Sequence, residues 1–166
     1  MPVPVLDDAA FVAKFGHLFE HSPWVVERAA GRGPFAFGEA LMAAFASVVT
    51  QATEEEQLDL VRRHPELADK TAIDERTLTA ESANEQSGAG LDRLTAEEYA
   101  TFHDLNRAYR TRFGFPFVIC VRLHNKAGVL AALRERAAGD RDELAAALEN
   151  ILLIVRFRLA DALKAA

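Results

Sequence analysis

Five histidines are available for proton transfer in this sequence, and one of them stands where the backbone must change course. His64 precedes Pro65, directly after the helical run from Leu58 to Arg63. The residue before a proline is pushed out of the α region, so a helix should end at His64 with the ring projecting from it. A histidine there titrates near neutral pH and can act as acid or base. The same position also suits a solvated helix-end side chain. A second group is Ser82, Glu85 and Gln86, whose spacings of three and four put a hydroxyl, a carboxylate and an amide on one helical face. Ala83 and Asn84 lie between them. Ser82 with Glu85 three residues on reads equally as a capping box. Gly88-Ala89-Gly90 should close that helix quickly.

Arg158 draws attention by its register. Leu144, Leu148, Ile151 and Val155 follow a rhythm of four, three and four, and the next step of three lands on Arg158. A guanidinium on a core stripe is costly unless it meets an anion in good geometry. An internal carboxylate such as Glu85, or a substrate carboxylate, would serve. Snorkelling to the surface near the helix end is the other reading. A competing motif is His17-Leu18-Phe19-Glu20-His21, which matches the His-x-x-Glu-His pattern of inverted zinc peptidases. Histidines four apart can share a metal, with the glutamate as base. Ser22-Pro23 ends the helix at once, however, and no third ligand is recognisable downstream. The expectation is no metal site, with His17 and His21 as helix-end residues stabilised by the dipole.

The elements that must position these side chains are helical. Apolar residues recur at helical spacing in nearly every segment. A first helix is expected from Asp8 to His21, stopped by Ser22-Pro23. Phe37 to Val49 reads as a buried helix, and Thr53 with Glu56 as a capping box that starts another. Thr95 with Glu98 opens a helix whose stripe is Tyr99, Phe102, Leu105 and Tyr109, ending near Gly114. Asp140, with Glu143 three residues on, should begin the last helix, running close to Leu163. The fold class is all-α, a single domain over residues 1–166 with seven or eight helices.

One segment breaks the pattern. Phe115-Pro116-Phe117-Val118-Ile119-Cys120-Val121 reads as an extended strand, with no convincing second strand to pair with it. Its buried backbone groups must be satisfied somewhere, either by a ligand or, as an ordinary connector, by side chains and water. Cys120, the only cysteine, lies in this apolar run and reads as a buried small hydrophobe rather than a nucleophile.

Composition narrows the class of function. The chain is 166 residues long and half hydrophobic, enough to bury a core without disulfide or metal. A formal charge of −6 argues against nucleic acid. No apolar stretch reaches the roughly 18 residues that span a membrane. The start Met1-Pro2-Val3-Pro4 lacks the features of a signal peptide, and Leu163-Lys164-Ala165-Ala166 is not a peroxisomal address. A cytoplasmic location is expected.

Five elements, in order along nearly the whole chain, resemble the 2-oxo-4-hydroxy-4-carboxy-5-ureidoimidazoline (OHCU) decarboxylase family. They are Phe19-Glu20-His21-Ser22-Pro23-Trp24-Val25, His64-Pro65-Glu66-Leu67-Ala68, Glu81-Ser82-Ala83-Asn84-Glu85-Gln86 followed by Ala89-Gly90-Leu91, Phe113-Gly114-Phe115-Pro116-Phe117-Val118, and Arg158-Leu159. Asp69 stands where the family usually has glycine, and the stretch Ala72 to Thr77 looks about one residue longer than usual. The resemblance implies an all-helical homodimer that turns urate-derived OHCU into (S)-allantoin and CO2 without metal or organic cofactor. It further implies that His64 is the catalytic acid/base. Beside it we expect Glu85 to set its tautomer and orientation and Arg158 to balance negative charge. Pro65, Ser82, Ala83, Asn84, Glu85, Gln86, Phe117, Val118, Ile119, Cys120 and Val121 would then hold the small-molecule substrate. The alternative is a non-catalytic helical module that binds a partner through its apolar face, which gives no reason for Arg158 on a core stripe.

Overall fold

The computed structural model describes residues 1–165 and contains nine α-helices and no β-strand among them. They run α1 (Asp8–Phe15), α2 (Trp24–Ala30), α3 (Gly38–Gln51), α4 (Glu54–Arg62), α5 (Lys70–Glu75), α6 (Ala80–Gly88), α7 (Ala96–Phe113), α8 (Lys126–Ala138) and α9 (Glu143–Lys164). The all-α expectation holds. The count exceeds seven or eight because short helices such as α2 and α5 carry too few residues to show a periodic stripe. No helix among the described residues is long and apolar enough to cross a membrane.

The capping residues explain most boundaries. Thr53 and Glu56 exchange side-chain and backbone hydrogen bonds at the start of α4, and Thr95 and Glu98 do the same at α7. Gly114 closes α7 in the left-handed region with φ 79°. Three boundaries differ from the sequence reading. The first helix ends at Phe15 and passes into a 3₁₀ turn, Gly16–Leu18, so it stops short of His21. The last helix is capped by Asp142, whose carboxylate accepts from the Ala145 N–H, rather than by Asp140. Helix α6 is capped by Thr79, which accepts from the Ser82 N–H, so Ser82 and Glu85 are interior residues and not a capping box.

The chain divides into two compact units. One comprises Met1–Arg63 and the chain from Ile151 onward. Its core is aromatic and aliphatic: Phe15, Leu18, Phe19, Val25, Leu41, Phe45, Leu60 and Ile151 are fully buried, and the Phe19 and Phe45 rings meet edge to face. The other unit, His64–Asn150, buries Leu91, Phe102, Tyr109, Phe117, Val129 and Leu133. Helix α9 gives its first turns to this second unit and the rest to the first.

Candidate active site

His64 opens the second unit, one residue past Arg63, the C-terminal cap of α4. The helix ends where Pro65 requires it to, but the side chain does not project into solvent: His64 is only 7% exposed. The turn that follows is buried with it. Leu67 and Ala68 are both buried, and Ala68 has φ 55°, in the left-handed region. That conformation costs a non-glycine residue roughly 1–2 kcal/mol, so something must hold the turn inward. Two side-chain amides do so. Asn106 Nδ2 on α7 donates to the Leu67 carbonyl at 2.8 Å, and Gln86 Oε1 on α6 accepts from the Ala68 N–H at 3.0 Å.

Next in the chain, Asp69 caps α5, accepting from the Thr71 and Ala72 N–H groups. Its φ is −75°, so nothing in the local geometry demands a glycine there. The stretch from Ala72 forms an ordinary closing turn, with the Thr77 N–H donating to the Ala72 carbonyl.

Helix α6 presents its polar face as the spacing implied. Ser82 and Gln86 are buried at 5% and 2% exposure, with Glu85 half-buried beside them. Ala83 and Asn84 occupy the opposite side and are exposed, because residues one and two steps away on a helix turn away from the Ser82–Gln86 line.

The segment Phe117–Val121 is buried throughout, and it is a connector and not a strand. Side chains take up its backbone groups. Arg136 Nη1 donates to the Val118 carbonyl at 2.8 Å, and the Cys120 N–H donates to Asn150 Oδ1 at 3.0 Å. The Cys120 amide is therefore committed inside the protein and is not available to a ligand. Beyond Cys120 the chain enters a 3₁₀ turn, Val121–Leu123, which packs against α6. Burial pushes the Cys120 thiol up, partly offset by the Arg122 backbone N–H, and the Glu85 carboxylate pushes it up further. A thiol held protonated in an apolar setting is a poor nucleophile, which agrees with the reading of Cys120 as a small hydrophobe.

Arg136 itself belongs to a buried triad. Its Nε and Nη2 grip Glu143 at 2.9 and 2.7 Å, the Tyr109 hydroxyl donates to the same carboxylate at 2.9 Å, and the guanidinium lies 4.6 Å from the Phe117 ring centroid. Burial first, then the hydrogen bond to Glu143 and that carboxylate's charge, raise the Tyr109 phenol well above its usual range. It stays protonated and donates.

Arg158 lies in the other unit, 4% exposed on the face shared by Ile151 and Val155. The buried stripe of α9 begins with Glu143, Ala146 and Ala147, while Leu144 and Leu148 flank it. The anion that meets Arg158 is Glu20 and not Glu85: Arg158 Nη2 lies 3.0 Å from Glu20 Oε1, and Nη1 donates to the Leu18 carbonyl at 3.3 Å. Glu20 is thereby committed to an ion pair, 1% exposed. His17 sits in the 3₁₀ turn, whereas His21 has φ 47° beyond it. The His-x-x-Glu-His pattern is thus broken over two backbone conformations, and the zinc-peptidase alternative falls with it. Among the described residues no three His, Cys, Asp or Glu side chains are grouped as metal ligands.

Comparison with known proteins bears on the same elements. A sequence model of the OHCU decarboxylase family matches residues 4–160. The chain belongs to the OHCU decarboxylase family. A family member from Haloferax volcanii, named 2-oxo-4-hydroxy-4-carboxy-5-ureidoimidazoline decarboxylase, is 41% identical over 94% of this chain and 90% of its own length. The uric acid degradation bifunctional protein PucL of Bacillus subtilis is 39% identical over 94% of this chain, which spans 31% of that longer protein. Among solved structures, (S)-allantoin synthase superposes with a TM-score of 0.73 at 29% identity, over 93% of this chain and 50% of that one. An OHCU decarboxylase crystallised in the presence of (S)-allantoin shares the fold, with a TM-score of 0.67 at 23% identity over 83% of this chain and 89% of that one.

Two features of this family member escape the sequence reading. Asn106 falls between Phe102 and Tyr109 on the buried face of α7, at steps of four and three. It is a polar residue on a core stripe, the same signal that singles out Arg158. Glu143 had such a signal too, but its position near a helix start disguises it as a cap.

Proposed function

We propose that this chain decarboxylates OHCU to (S)-allantoin, with His64 as the acid/base and no metal or organic cofactor. The observation that carries the reading is the hydrogen bond from the Ala68 N–H to Gln86. It ties the His-Pro element to the Ser-x-x-Glu-Gln element, two stretches separated in sequence, inside a chain that matches the family over residues 4–160.

The substrate carries its carboxylate on a carbon that also bears a hydroxyl and adjoins a ring C=N bond. As that C–C bond breaks and CO2 leaves, its electron pair enters the C=N system. The ring nitrogen takes up a proton, leaving an enol. The enol then gains a proton at the ureido-bearing carbon on one face and loses its hydroxyl proton to become the carbonyl of allantoin. The net change is loss of CO2 and uptake of one proton. In this reading His64 moves the proton, and Glu85 sets its tautomer and orientation. Ser82, the Gln86 amide nitrogen, Pro65 and the Phe117–Val121 backbone, the Val118 carbonyl and the Cys120 amide excepted, orient the ureido and ring groups. Arg158 enters with Glu20 as an ion pair and so contributes position more than net charge. General acid–base help is worth about 10²–10⁴-fold. We also assign a homodimer, which the family resemblance supports and sedimentation would test, and a cytoplasmic location, which suits a single buried cysteine.

The test is to mix the protein with freshly generated substrate and follow CO2 release and optical activity. Rapid formation of (S)-allantoin is expected, and racemic product at the uncatalysed rate would refute the assignment. His64→Asn should stay folded and lose at least about two orders of magnitude in kcat. Near-normal turnover in that variant would remove His64 from the mechanism.

A further inference from the structure

The peptide unit joining Leu67 to Ala68 is held at both ends. Its carbonyl accepts from Asn106 and its N–H donates to Gln86. One such bond would leave the peptide plane free to rock, whereas two on opposite edges fix it. The two amides come from different helices, α7 and α6, and the peptide they hold lies three residues beyond His64.

The arrangement does not match every polar atom it encloses. Asn106 is 4% exposed, and its Oδ1 is buried with no hydrogen-bond partner among the described residues. Gln86 Nε2 is in the same condition. A buried polar atom left unmatched is a standing cost, and an aliphatic side chain at position 106 would exchange it for an unmatched Leu67 carbonyl. What an aliphatic side chain cannot do is donate to the Leu67 carbonyl.

We propose that Asn106 is a positioning residue: it fixes the plane of the Leu67–Ala68 peptide and, through that turn, the placement of the His64 ring. The proposal rests on the reading of His64 as the acid/base. A misplacement of about 1 Å at a reacting group costs on the order of 10²-fold in rate, which sets the scale of the expected effect.

The experiment compares Asn106→Asp, Asn106→Leu and Asn106→Ala with the wild type and His64→Asn, with kcat and KM referred to the folded fraction. Asn106→Asp keeps the shape but sets a carboxylate oxygen against the Leu67 carbonyl when ionised. When protonated it donates again, and burial raises the pH at which that happens. Near pH 8, kcat should fall roughly 10- to 100-fold, on the scale of a misplaced group, with KM changed much less. The ratio of Asn106→Asp to wild-type activity should climb as the pH is lowered. Asn106→Leu and Asn106→Ala should stay low at every pH. A purely structural Asn106 would lower melting temperature while kcat of the folded fraction stayed at the wild-type value and the ratio stayed flat across pH. Either that pattern or loss of the fold in all three variants overturns the inference. Full turnover by His64→Asn would instead sink the acid/base reading itself. A dead His64→Asn beside a normal Asn106→Asp removes only the role assigned to Asn106.

Discussion

Replacing Arg158 by methionine removes a cation from a site where both partners are almost wholly enclosed, at 3% and 1% side-chain exposure. Glu20 keeps its carboxylate in place without the guanidinium 3.0 Å away, and the Leu18 carbonyl loses its donor. Breaking a buried pair from one side costs about 3–5 kcal/mol. An unmatched carbonyl costs about 1–3 kcal/mol, and the two losses overlap because one side chain supplies both. Taking about 4 kcal/mol in all, and about 2–4 °C per kcal/mol for a chain of this size, Arg158→Met should melt roughly 8–16 °C below wild type. Arg158→Lys keeps the charge but loses the fork that reaches both acceptors, so it should fall between the two. The double variant Glu20→Leu/Arg158→Met removes both charges and should recover most of the lost stability. Thermal melts and urea titrations at pH 7 measure all four proteins. An Arg158→Met melt within about 3 °C of wild type, well short of the shift expected for a broken buried pair, would refute the reasoning. So would a double variant no more stable than the single. Because the double variant is expected to fold, its kinetics read the part of the Glu20–Arg158 pair in turnover, and kcat should fall.

Glu85→Gln keeps the hydrogen-bonding shape and removes an anion from the polar face of α6. A nearby anion favours the imidazolium, so the transition assigned to His64 in the pH–rate profile should move to lower pH; an unchanged profile would take Glu85 out of the proton chemistry. Arg136→Met releases the Val118 carbonyl and leaves Glu143 buried with Tyr109. It should lower the melting temperature by an amount similar to Arg158→Met and raise KM as the Phe117–Val121 segment loosens, whereas an unaltered melt would show that the triad is not a tether. At the surface, Arg28 first and the Thr53 cap second hold the Glu56 carboxyl down at about 2, against 4.5 for an ordinary glutamate. A depressed carboxyl contributes stability that is present above its unfolded value and lost as pH falls toward its folded one. Acid melts of Glu56→Gln should therefore lose the part of the wild-type decline between about pH 4.5 and 2 that this carboxyl causes; superimposable curves would assign that decline elsewhere.

What the linear sequence determines here is mostly local. Thr53 and Thr95 start helices because a hydroxyl and a glutamate three residues on satisfy backbone N–H groups within a single turn. Gly114 ends α7, and Pro65 ends α4, through conformational limits that act on neighbouring residues alone. The Arg158 register is likewise local, since three and four residues along one helix decide which face it shares. Tertiary structure decides which group each buried polar residue meets. Arg158 is 138 residues from Glu20, and Asn106 is 39 from Leu67. No helical period relates such positions, and a buried charge can be met by any carboxylate that packing delivers. The same holds for His64. Its place after a helix is written in His-Pro, but its enclosure is not, nor is the left-handed turn after it, which two amides from α6 and α7 hold. Periodicity and capping report on faces and ends; partners are chosen only when separate helices pack and every enclosed donor and acceptor must find a match.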